Sequence, residues 1–540
     1  MRIDWRSRVY TFAGLSLALL LAALTTAPTA ANGRKDGGGW PMIGRDAGNS
    51  RHQPDESRIG RRTVARLEPK WVFTTTGDVS ATPAVADEGR SRRGRHRRSV
   101  YFPDWGGQLW KLDADTGEVR WSHAISEYNG IAASISRTTP VLAHGRVYIA
   151  DLNGNLIALD AETGALRWIT RLDPHPAVIV TTSPIVLGDR LYVSTSSMEQ
   201  AYARRTPGYV CCTFRGSMVA VDARTGAIVW QSFVLPDNGG VAGAFSGGAF
   251  VNPPVIDVQN RLVYGGAGQL YTRPPAVEAC LAAAPGNWSE SCFPRGADFN
   301  AVVAFDLRTG ARKWSFRVAG TDARELACGT LPADVTWCPP ADNFSTWDLA
   351  GAGANVFTAR IKGRTRRVVG IGEKSGVYWA LDARTGKYLW STLVGPGSDP
   401  GGIQWGTAYD GKRIYAAIGH NTGEAYRLPN GEVITGGSWA ALDPSNGRIL
   451  WQTADPQGAP DLASVSVANG VLYGGSMAHT GDQMYALDSA TGAILWRFAA
   501  GGSVVGGPAI SDGTVFWGSG YARTGGVGND KFYAFTYRGR

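Results

Sequence analysis

The six cysteines are the residues of this 540-residue chain whose chemistry is most evident, and they stand at positions 211, 212, 280, 292, 328 and 338. An even number of cysteines in an exported chain favours disulfides. Local spacing predicts the pairs Cys280–Cys292 and Cys328–Cys338. Cys211 and Cys212 are adjacent, and we expect a bond between them too, with two unpaired buried thiols as the alternative. No Cys-x-x-Cys-His segment occurs, so the sequence predicts no covalent c-type haem.

The N-terminus has the three-part form of a secretory signal peptide. Three arginines precede an apolar run at residues 12–24, and small residues follow at residues 27–31. The alternative is a membrane anchor, but the run is shorter than the roughly 20 residues that span a bilayer. We therefore expect residues 1–31 to be removed. The mature protein would be exported to the periplasm or the cell exterior without a transmembrane segment.

The net charge of +9 would suggest nucleic-acid binding if it were spread over the protein. The signal segment accounts for +2, however, and six arginines between Arg90 and Arg98 account for +6. The rest of the chain is close to neutral, so we predict no nucleic-acid partner. We expect the arginine run to be a solvated loop, with an anionic partner at this loop as the alternative.

The elements that must position these residues are predicted from composition and repeats. Glycine is frequent, with 71 residues, and only 18% of residues are charged, which favours short strands and tight turns over helical bundles. One pattern, Ala-Leu-Asp-x-x-Thr-Gly-x-x-x-Trp with close variants, recurs seven times. Asp and Thr can bond the turn backbone and glycine supplies a positive φ, so each copy predicts a hairpin that ends on a tryptophan. The copies are Lys111–Trp121, Ala158–Trp168, Ala220–Trp230, Ala304–Trp314, Ala380–Trp390, Ala441–Trp451 and Ala486–Trp496.

Each repeat contains four predicted strands, which is one blade of a β-propeller. An eighth copy is split between the chain ends, because Phe532–Phe535 supplies its inner half and Lys70–Phe73 can supply the missing outer strand. The sequence therefore predicts an all-β fold, a closed eight-bladed propeller over residues 70–540, after an N-terminal extension at residues 32–69. An open solenoid is the alternative, but it would leave both end strands unpaired.

The eleven-residue repeat resembles the tryptophan-docking motif of the quinoprotein alcohol dehydrogenases. Further segments narrow the resemblance to the polyvinyl-alcohol-dehydrogenase-like branch, over roughly residues 40–536. The resemblance implies an eight-bladed propeller that binds pyrroloquinoline quinone (PQQ) and Ca²⁺ on its axis. The segments are Trp40–Asp46, Gly216–Ala220, Lys374–Asp382, Gly401–Gly406 and Gly518–Tyr521.

The resemblance also implies roles for individual residues near strand ends in different blades. Quinone oxidation of an alcohol needs a cation, a base, donors for the PQQ carboxylates and flat walls for the ring. The resemblance assigns Glu199 and Gln269 to the cation. Asp298 would be the base. Cofactor-binding roles are assigned to Arg137, Thr181, Glu199, Cys211, Cys212, Lys374 and Trp405.

Three positions between residues 240 and 314 depart from the family pattern. Val251 stands where the family has a ring-stacking tryptophan, and Gln269 stands in its calcium-binding segment. Asn300, which cannot act as a base, stands where the relatives have an aspartate, which leaves Asp298 as the candidate. The cysteine pair follows Glu199, whereas in the best-known family members it precedes the arginine segment.

The sequence therefore supports two functions of different classes. The first is an exported PQQ-dependent dehydrogenase for a small, polymeric or secondary alcohol, with electrons passed to a separate carrier such as a cytochrome c. The second is a non-catalytic propeller that serves as a binding or assembly scaffold. The departures favour the scaffold, whereas Glu199, Lys374 and the cysteine pair favour the enzyme, which is the interpretation we prefer.

Overall fold

The computed structural model describes residues 38–90, 96–285, 288–318, 349–351, 353–398 and 400–540. The predicted signal peptide and the predicted Cys328–Cys338 pair lie outside these ranges. The described chain is built mainly of strands, and none of its helices is long and apolar enough to cross a membrane. Its α-helices and 3₁₀ turns are Val64–Arg66, Ile125–Asn129, Glu199–Arg205, Pro275–Ala283, Glu290–Cys292 and Leu349–Gly351.

Eight four-stranded antiparallel sheets, numbered as blades 1 to 8, follow one another along the chain. Blade 1 contains Ala84–Arg90, His96–Pro103, Gln108–Asp113 and Val119–Ala124. Blade 2 contains Val141–Ala143, Arg146–Ala150, Asn155–Asp160 and Leu166–Arg171. Blade 3 contains Ile185–Leu187, Arg190–Ser194, Ser217–Asp222 and Ile228–Phe233. Blade 4 contains Val255–Asp257, Leu262–Ala267, Ala301–Asp306 and Arg312–Arg317.

The remaining blades repeat this order. Blade 5 contains Ala354–Ile361, Arg364–Gly372, Val377–Asp382 and Tyr388–Leu393. Blade 6 contains Ala408–Tyr409, Ile414–Ile418, Ser438–Leu442 and Ile449–Ala454. Blade 7 contains Ser466–Ala468, Val471–Gly475, Met484–Asp488 and Ile494–Phe498. Blade 8 contains Ala509–Ser511, Thr514–Gly518, Lys531–Tyr537 and Leu67–Thr74. Short additional strands are His52–Gln53, Val178–Ile179, Ser196–Ser197, Ser246–Gly247, Leu270–Thr272, Tyr426–Arg427 and Val433–Ile434.

Blade 8 joins the two ends of the chain, as the split repeat predicts. Its fourth strand, Leu67–Thr74, pairs antiparallel with the C-terminal strand Lys531–Tyr537. Trp71 lies opposite Ala534 in this ladder. The predicted all-β, closed eight-bladed propeller is confirmed, and the open solenoid is wrong.

The repeat tryptophans connect each blade to the next. The Trp121 indole N–H of blade 1 donates to the Ala161 carbonyl in the turn of blade 2, at 3.3 Å. The same contact recurs around the molecule, and Trp71 of blade 8 closes the circle on the Ala114 carbonyl of blade 1, at 3.2 Å. The other donors are Trp168, Trp230, Trp314, Trp390, Trp451 and Trp496. Eight indole hydrogen bonds therefore link the blades into a ring.

The antiparallel order of each blade decides which loops meet at the axis. Loops that precede a first strand, and loops that join a second strand to a third, leave the blade at the same edge. We call this edge the upper face. The Asp-x-x-Thr-Gly turns join third strands to fourth strands and lie on the opposite face. Every residue that the sequence assigns to the site falls in an upper-face loop.

Residues 40–53, here called the plug, run along the first strands of seven blades. The segment bridges to blade 1 through backbone hydrogen bonds between Trp40 and Val85. Its Ser50 carbonyl accepts the N–H of Tyr409 in blade 6, and its His52–Gln53 strand pairs in parallel with blade 7. The plug also forms backbone hydrogen bonds with blades 2, 4 and 5, through the pairs Pro41–Leu142, Ala47–Ile256 and Gly48–Val356. In blade 8, the Ile510 carbonyl accepts the side-chain amide of Gln53. The plug therefore lies beneath the upper-face loops, along the inside of the ring.

The described disulfides are Cys211–Cys212 and Cys280–Cys292, which confirms two of the three predicted pairs. The arginine run departs from expectation at its C-terminal end. Arg98 belongs to a blade 1 strand, is only 6% exposed and forms an ion pair with Asp115. The prediction of a solvated loop is therefore wrong for Arg98, because its guanidinium also donates to the Ser511 carbonyl of blade 8.

Candidate active site

Upper-face loops from seven blades converge on a narrow cavity of about 50 Å³, here called the axial cavity. Most of its lining residues directly precede a first strand, as Thr82 precedes blade 1 and Ser464 precedes blade 7. Ile43 of the plug contributes to the lining from beneath. The lining residues are Ile43, Ser80, Ala81, Thr82, Arg137, Thr139, Thr181, Ser183, Val251, Asn252, Pro253, Trp405, Ser464, Val505 and Tyr521.

Three of the predicted cofactor-binding residues meet in the axial cavity. Arg137, Thr181 and Trp405 all line it, although they come from different blades. The guanidinium carbon of Arg137 lies 5.9 Å from the centre of the Trp405 ring, within cation–π range. Val251 also lines the cavity, and its carbonyl accepts the Thr181 hydroxyl at 3.4 Å. The departure at Val251 therefore removes an aromatic side chain from the cavity wall itself.

The lining supplies hydrogen-bond donors and contains no carboxylate. Asn252 is only 8% exposed, and its amide nitrogen has no hydrogen-bond partner. The hydroxyl of Thr139 is also buried without a partner. Buried polar atoms without partners are rare in folded proteins and indicate a missing ligand or water. With Arg137 beside them, these atoms suit carboxylate groups such as the three of PQQ. The cavity volume of about 50 Å³ is smaller than this cofactor, so the lining loops must open for PQQ to enter.

Glu199 lies outside the axial cavity lining and is held by N–H donors. It is 1% exposed, at the start of the helix Glu199–Arg205. Its two carboxylate oxygens accept the backbone N–H groups of Thr213 and Phe214, each at 2.8 Å, and His175 lies 3.6 Å away. Burial raises the pKa of Glu199, but the hydrogen bonds from His175, Phe214 and Thr213 outweigh it, so the net pKa is lowered.

These contacts decide whether Glu199 fits a calcium ion. Calcium ligands are oxygen atoms whose lone pairs face the metal. Oε1 of Glu199 accepts the Thr213 N–H and also the Tyr209 and Thr213 hydroxyls, both at 3.4 Å, whereas Oε2 accepts the Phe214 N–H. Since each oxygen has two lone pairs, the residue does not fit as a bidentate calcium ligand in this arrangement. The described residues also contain no group of three or more His, Cys, Asp or Glu side chains that could hold a metal ion.

The cysteine pair follows the helix that begins at Glu199 and lies close to this residue in the fold, but it does not line the axial cavity. Cys212 belongs to an apolar cluster with Val178, Phe214 and Tyr271, against which Cys211 packs. The two amides that hold Glu199 directly follow this pair. The disulfide therefore packs the loop whose backbone holds the Glu199 carboxylate.

The other predicted site residues lie in upper-face loops but not among the lining residues. Gln269 is buried, and its carbonyl accepts the Gly248 N–H at 2.9 Å. Asp298 is buried, and its carboxylate forms an ion pair with Arg312. A Cβ atom added at Gly351 would lie 3.0 Å from Cε of Lys374, so this lysine packs on the residue whose carbonyl accepts the Trp405 N–H.

A second and larger cavity, here called the outer cavity, opens beside the axial cavity and has a volume of about 620 Å³. Leu462 and Met477 line the outer cavity and pack in one apolar cluster with Val505 and Tyr521, which line the axial cavity. One layer of side chains therefore separates the outer cavity from the axial cavity. The outer cavity is lined by Pro400, His420, Asn421, Gly423, Thr435, Gln457, Gly458, Ala459, Pro460, Leu462, Met477, Ala478, His479, Thr480, Thr524 and Gly525.

A family model, PQQ_2, with the description outer membrane protein assembly factor BamB, matches residues 61–293 and 435–537, which is more than half of the chain. The chain belongs to this family. Known relatives include a polyvinylalcohol dehydrogenase of Sphingopyxis sp., 28% identical over 85% of this chain and 69% of the relative. A polyvinylalcohol dehydrogenase of Pseudomonas sp. is 27% identical over 89% of this chain and 73% of the relative.

A solved structure supports the fold. The quinohemoprotein alcohol dehydrogenase of Comamonas testosteroni superposes with a TM-score of 0.66, at 19% identity, over 93% of this chain and 81% of that one. The predicted resemblance to quinoprotein alcohol dehydrogenases of the polyvinyl-alcohol branch is confirmed.

Sequence reasoning missed three residues that contribute to the site. Thr139 lies two residues after Arg137, and Asn252 lies one residue after Val251. Their position just before a first strand could have indicated that they line the site. Arg51 lies behind the lining, where its guanidinium donates to the Thr82 hydroxyl and the Trp405 carbonyl, both at 3.4 Å. The sequence feature that could have indicated Arg51 is that it stands as a lone arginine in the nearly uncharged stretch after Asp46.

Proposed function

We propose that this protein is an exported PQQ-dependent dehydrogenase that oxidises an alcohol and passes the electrons to a separate carrier such as a cytochrome c. The enzyme class, an oxidoreductase of the quinoprotein alcohol dehydrogenase type, is that of its named relatives. One observation carries the proposal for this chain. The axial cavity joins a guanidinium, partnerless donors and an indole wall, and no carboxylate opposes an anionic ligand there.

Different lining residues would bind different parts of PQQ. Arg137 and Asn252 would bind its carboxylates, and the hydroxyls of Thr139 and Thr181 would add hydrogen bonds. Trp405 would form one flat wall, with Arg137 over it. When bound, PQQ supplies the two-electron acceptor for the alcohol carbon. Because Val251 replaces an aromatic wall, we expect PQQ to bind more weakly than it would between two rings.

In this proposal an arginine supplies the positive charge beside PQQ, whereas the resemblance implies a calcium ion. Glu199 is engaged by backbone amides, and we therefore assign no step to calcium at this residue. Arg137 lines the cavity instead, and its guanidinium offers several N–H donors that match carboxylate geometry. Its task in this proposal is to hold anionic oxygens and to stabilise negative charge near the Trp405 wall.

The outer cavity suggests the substrate class. Its lining contains hydrogen-bonding side chains such as Asn421, Gln457 and Thr480, together with Leu462 and Met477, but no charged residue. Such a surface suits a neutral chain that bears hydroxyl groups on an aliphatic backbone. We propose that a polymeric or secondary alcohol lies in this cavity. Its hydroxyl-bearing carbon reaches PQQ only where the Leu462–Tyr521 layer opens, because oxidation requires direct contact between that carbon and the quinone.

Asp298 stays our prediction for the group that accepts the hydroxyl proton. Its carboxylate is paired with Arg312, and this contact has to open before Asp298 can reach a substrate. Asp298 is also not among the residues that line the axial cavity, so its side chain must move to reach the hydroxyl proton.

Reconstitution tests the proposed function. Purified protein, with and without added PQQ and Ca²⁺, is assayed for dye reduction with a short secondary alcohol and with a hydroxylated polymer. We expect PQQ-dependent reduction, with the polymer preferred. Asp298→Asn should lower kcat by about 10²–10⁴ at saturating PQQ, whereas Asp306→Asn, in a turn on the opposite face, should not. Absence of any PQQ-dependent reduction would favour the scaffold function.

A further inference from the structure

Arg51 is a fully buried cation directly behind the axial cavity. Its side chain is 0% exposed, and its guanidinium touches two lining residues, Thr82 and Trp405. Both contacts are long, at 3.4 Å, and its Nε has no hydrogen-bond partner. The guanidinium is therefore only partly satisfied by the protein around it.

No ion pair within the described ranges neutralises Arg51. Burial lowers the pKa of its guanidinium to about 9, and no carboxylate counteracts this effect. The residue is thus charged at neutral pH, in a place where an unpaired charge is costly. An anion bound in the axial cavity would offset part of this cost.

Two glycines leave room for the Arg51 side chain. A Cβ added at Gly406 would lie 2.5 Å from Arg51 Nε, and one added at Gly507 would lie 3.0 Å from Nη1. Arg51 and Trp405 also share an uncommon feature, a left-handed backbone, with φ of 49° and 51°. Because L-residues adopt this conformation rarely, such positions are often found at functional sites.

The plug fixes Arg51 from the other side. The Arg51 N–H donates to the Gly44 carbonyl at 3.0 Å, and its carbonyl accepts the Val467 N–H of blade 7 at 2.9 Å. These backbone hydrogen bonds fix the position of the Arg51 backbone, and the close approach of Gly406 and Gly507 confines its guanidinium. Its charge is held beneath the cavity before any ligand arrives.

The geometry points to Arg51 as a positioning residue for the cofactor, a fixed cation that attracts the PQQ carboxylates through the Thr82–Trp405 layer. This inference rests on the proposed function. Arg51 and Arg137 together place two positive charges around a cavity with no carboxylate in its lining. In a site of low dielectric, such preorganised charge strengthens anion binding without a cost of reorganisation.

The test measures binding and does not need turnover. Quenching of tryptophan fluorescence gives the Kd of PQQ and of its uncharged trimethyl ester for the wild type, Arg51→Met and Arg51→Lys. Arg45→Met is the matched control, because Arg45 lies on the same plug but pairs with Asp55. Thermal unfolding of each apo protein is recorded as well.

Arg51→Met should raise the Kd of PQQ by about tenfold or more, and change the Kd of the ester by less than about twofold. Arg51→Lys should retain most of the PQQ affinity, and Arg45→Met all of it. The apo Tm of Arg51→Met should equal or exceed that of the wild type, since an uncompensated buried charge is removed.

A purely structural role gives a different pattern. Equal weakening of PQQ and ester by Arg51→Met, or no change in the Kd of PQQ, would overturn the inference while leaving the proposed function intact. A wild type that binds neither ligand would instead contradict the proposed function. If Arg51→Met does not fold, Arg51→Gln carries the same comparison.

Discussion

Glu199 directs both carboxylate oxygens to the backbone amides that follow the cysteine pair. The sequence predicts the loop that contains this residue, because strand ends and motif order can be predicted from sequence. It does not predict the partners of the carboxylate, since these depend on how the Thr213–Phe214 backbone turns back towards the helix. Arg137, Thr181 and Trp405 line one cavity for the opposite reason: each precedes a first strand by a few residues, and the ring brings those positions to the axis.

Glu199→Gln tests the structural role of this residue. The amide can replace only part of the charge-assisted bonding, so we expect the free energy of unfolding to fall by about 2 kcal/mol at pH 7. Because the folded-state pKa is lowered, the carboxylate contributes fully above its ordinary pKa near 4.5 and loses that contribution as pH falls through the folded value. The difference between the two proteins should therefore shrink in acid.

Chemical denaturation at pH 7 and at pH 3 measures this difference, with exposed Glu118→Gln as the control. Equal stability of Glu199→Gln and wild type at pH 7 would contradict the assigned hydrogen bonds and revive a ligand role for the carboxylate.

The Asp-x-x-Thr-Gly turn of each repeat is the element whose structure the sequence predicts best, because the residues that determine its backbone lie within the turn itself. Asp160 accepts the N–H groups of Glu162 and Thr163, as the motif requires. The tertiary role of the glycine is less evident from sequence. A Cβ added at Gly447 would lie 2.3 Å from the Thr392 hydroxyl oxygen and 2.5 Å from the ring of Trp390, both in the preceding blade. Glycine is thus needed for its positive φ and for the close approach of the indole.

Gly447→Ala separates these two requirements. We expect it to lower the free energy of unfolding by about 2–3 kcal/mol, since the backbone is strained and the Trp390 ring must move. Gly411→Ala is the matched control, because Gly411 also has a positive φ, of 88°, but no atom within 4 Å of the added Cβ. It should cost about 1 kcal/mol. Equal losses in urea denaturation would show that the indole contact contributes nothing.

The plug is the element that sequence reasoning missed. Residues 40–53 carry no repeat and little periodicity, so the sequence indicates only an extension before the propeller. Their structure is set by backbone hydrogen bonds to first strands that lie hundreds of residues away, such as Ser50 to Tyr409. Contacts of this kind use atoms that every residue has, and no side-chain pattern reports them.

At the scale of the whole molecule, the repeat count and the split eighth copy were sufficient to predict the closed ring. Tryptophan spacing defines the blades, and the complementary chain ends define the closure at Trp71 and Ala534. What the ring encloses could not be predicted in the same way. The axial cavity depends on the plug, on the upper-face loops and on a few side chains, of which Arg137 faces a space without any lining carboxylate.

The most direct test of the central claim, that the axial cavity binds PQQ, is calorimetric titration of the apo protein with PQQ. We predict saturable binding of one PQQ per chain, and a Kd raised by about tenfold or more in Arg137→Met. Arg308→Met, which alters an exposed arginine in a turn on the opposite face, should bind like the wild type. Absence of saturable binding, or an unchanged Kd in Arg137→Met, would contradict the account.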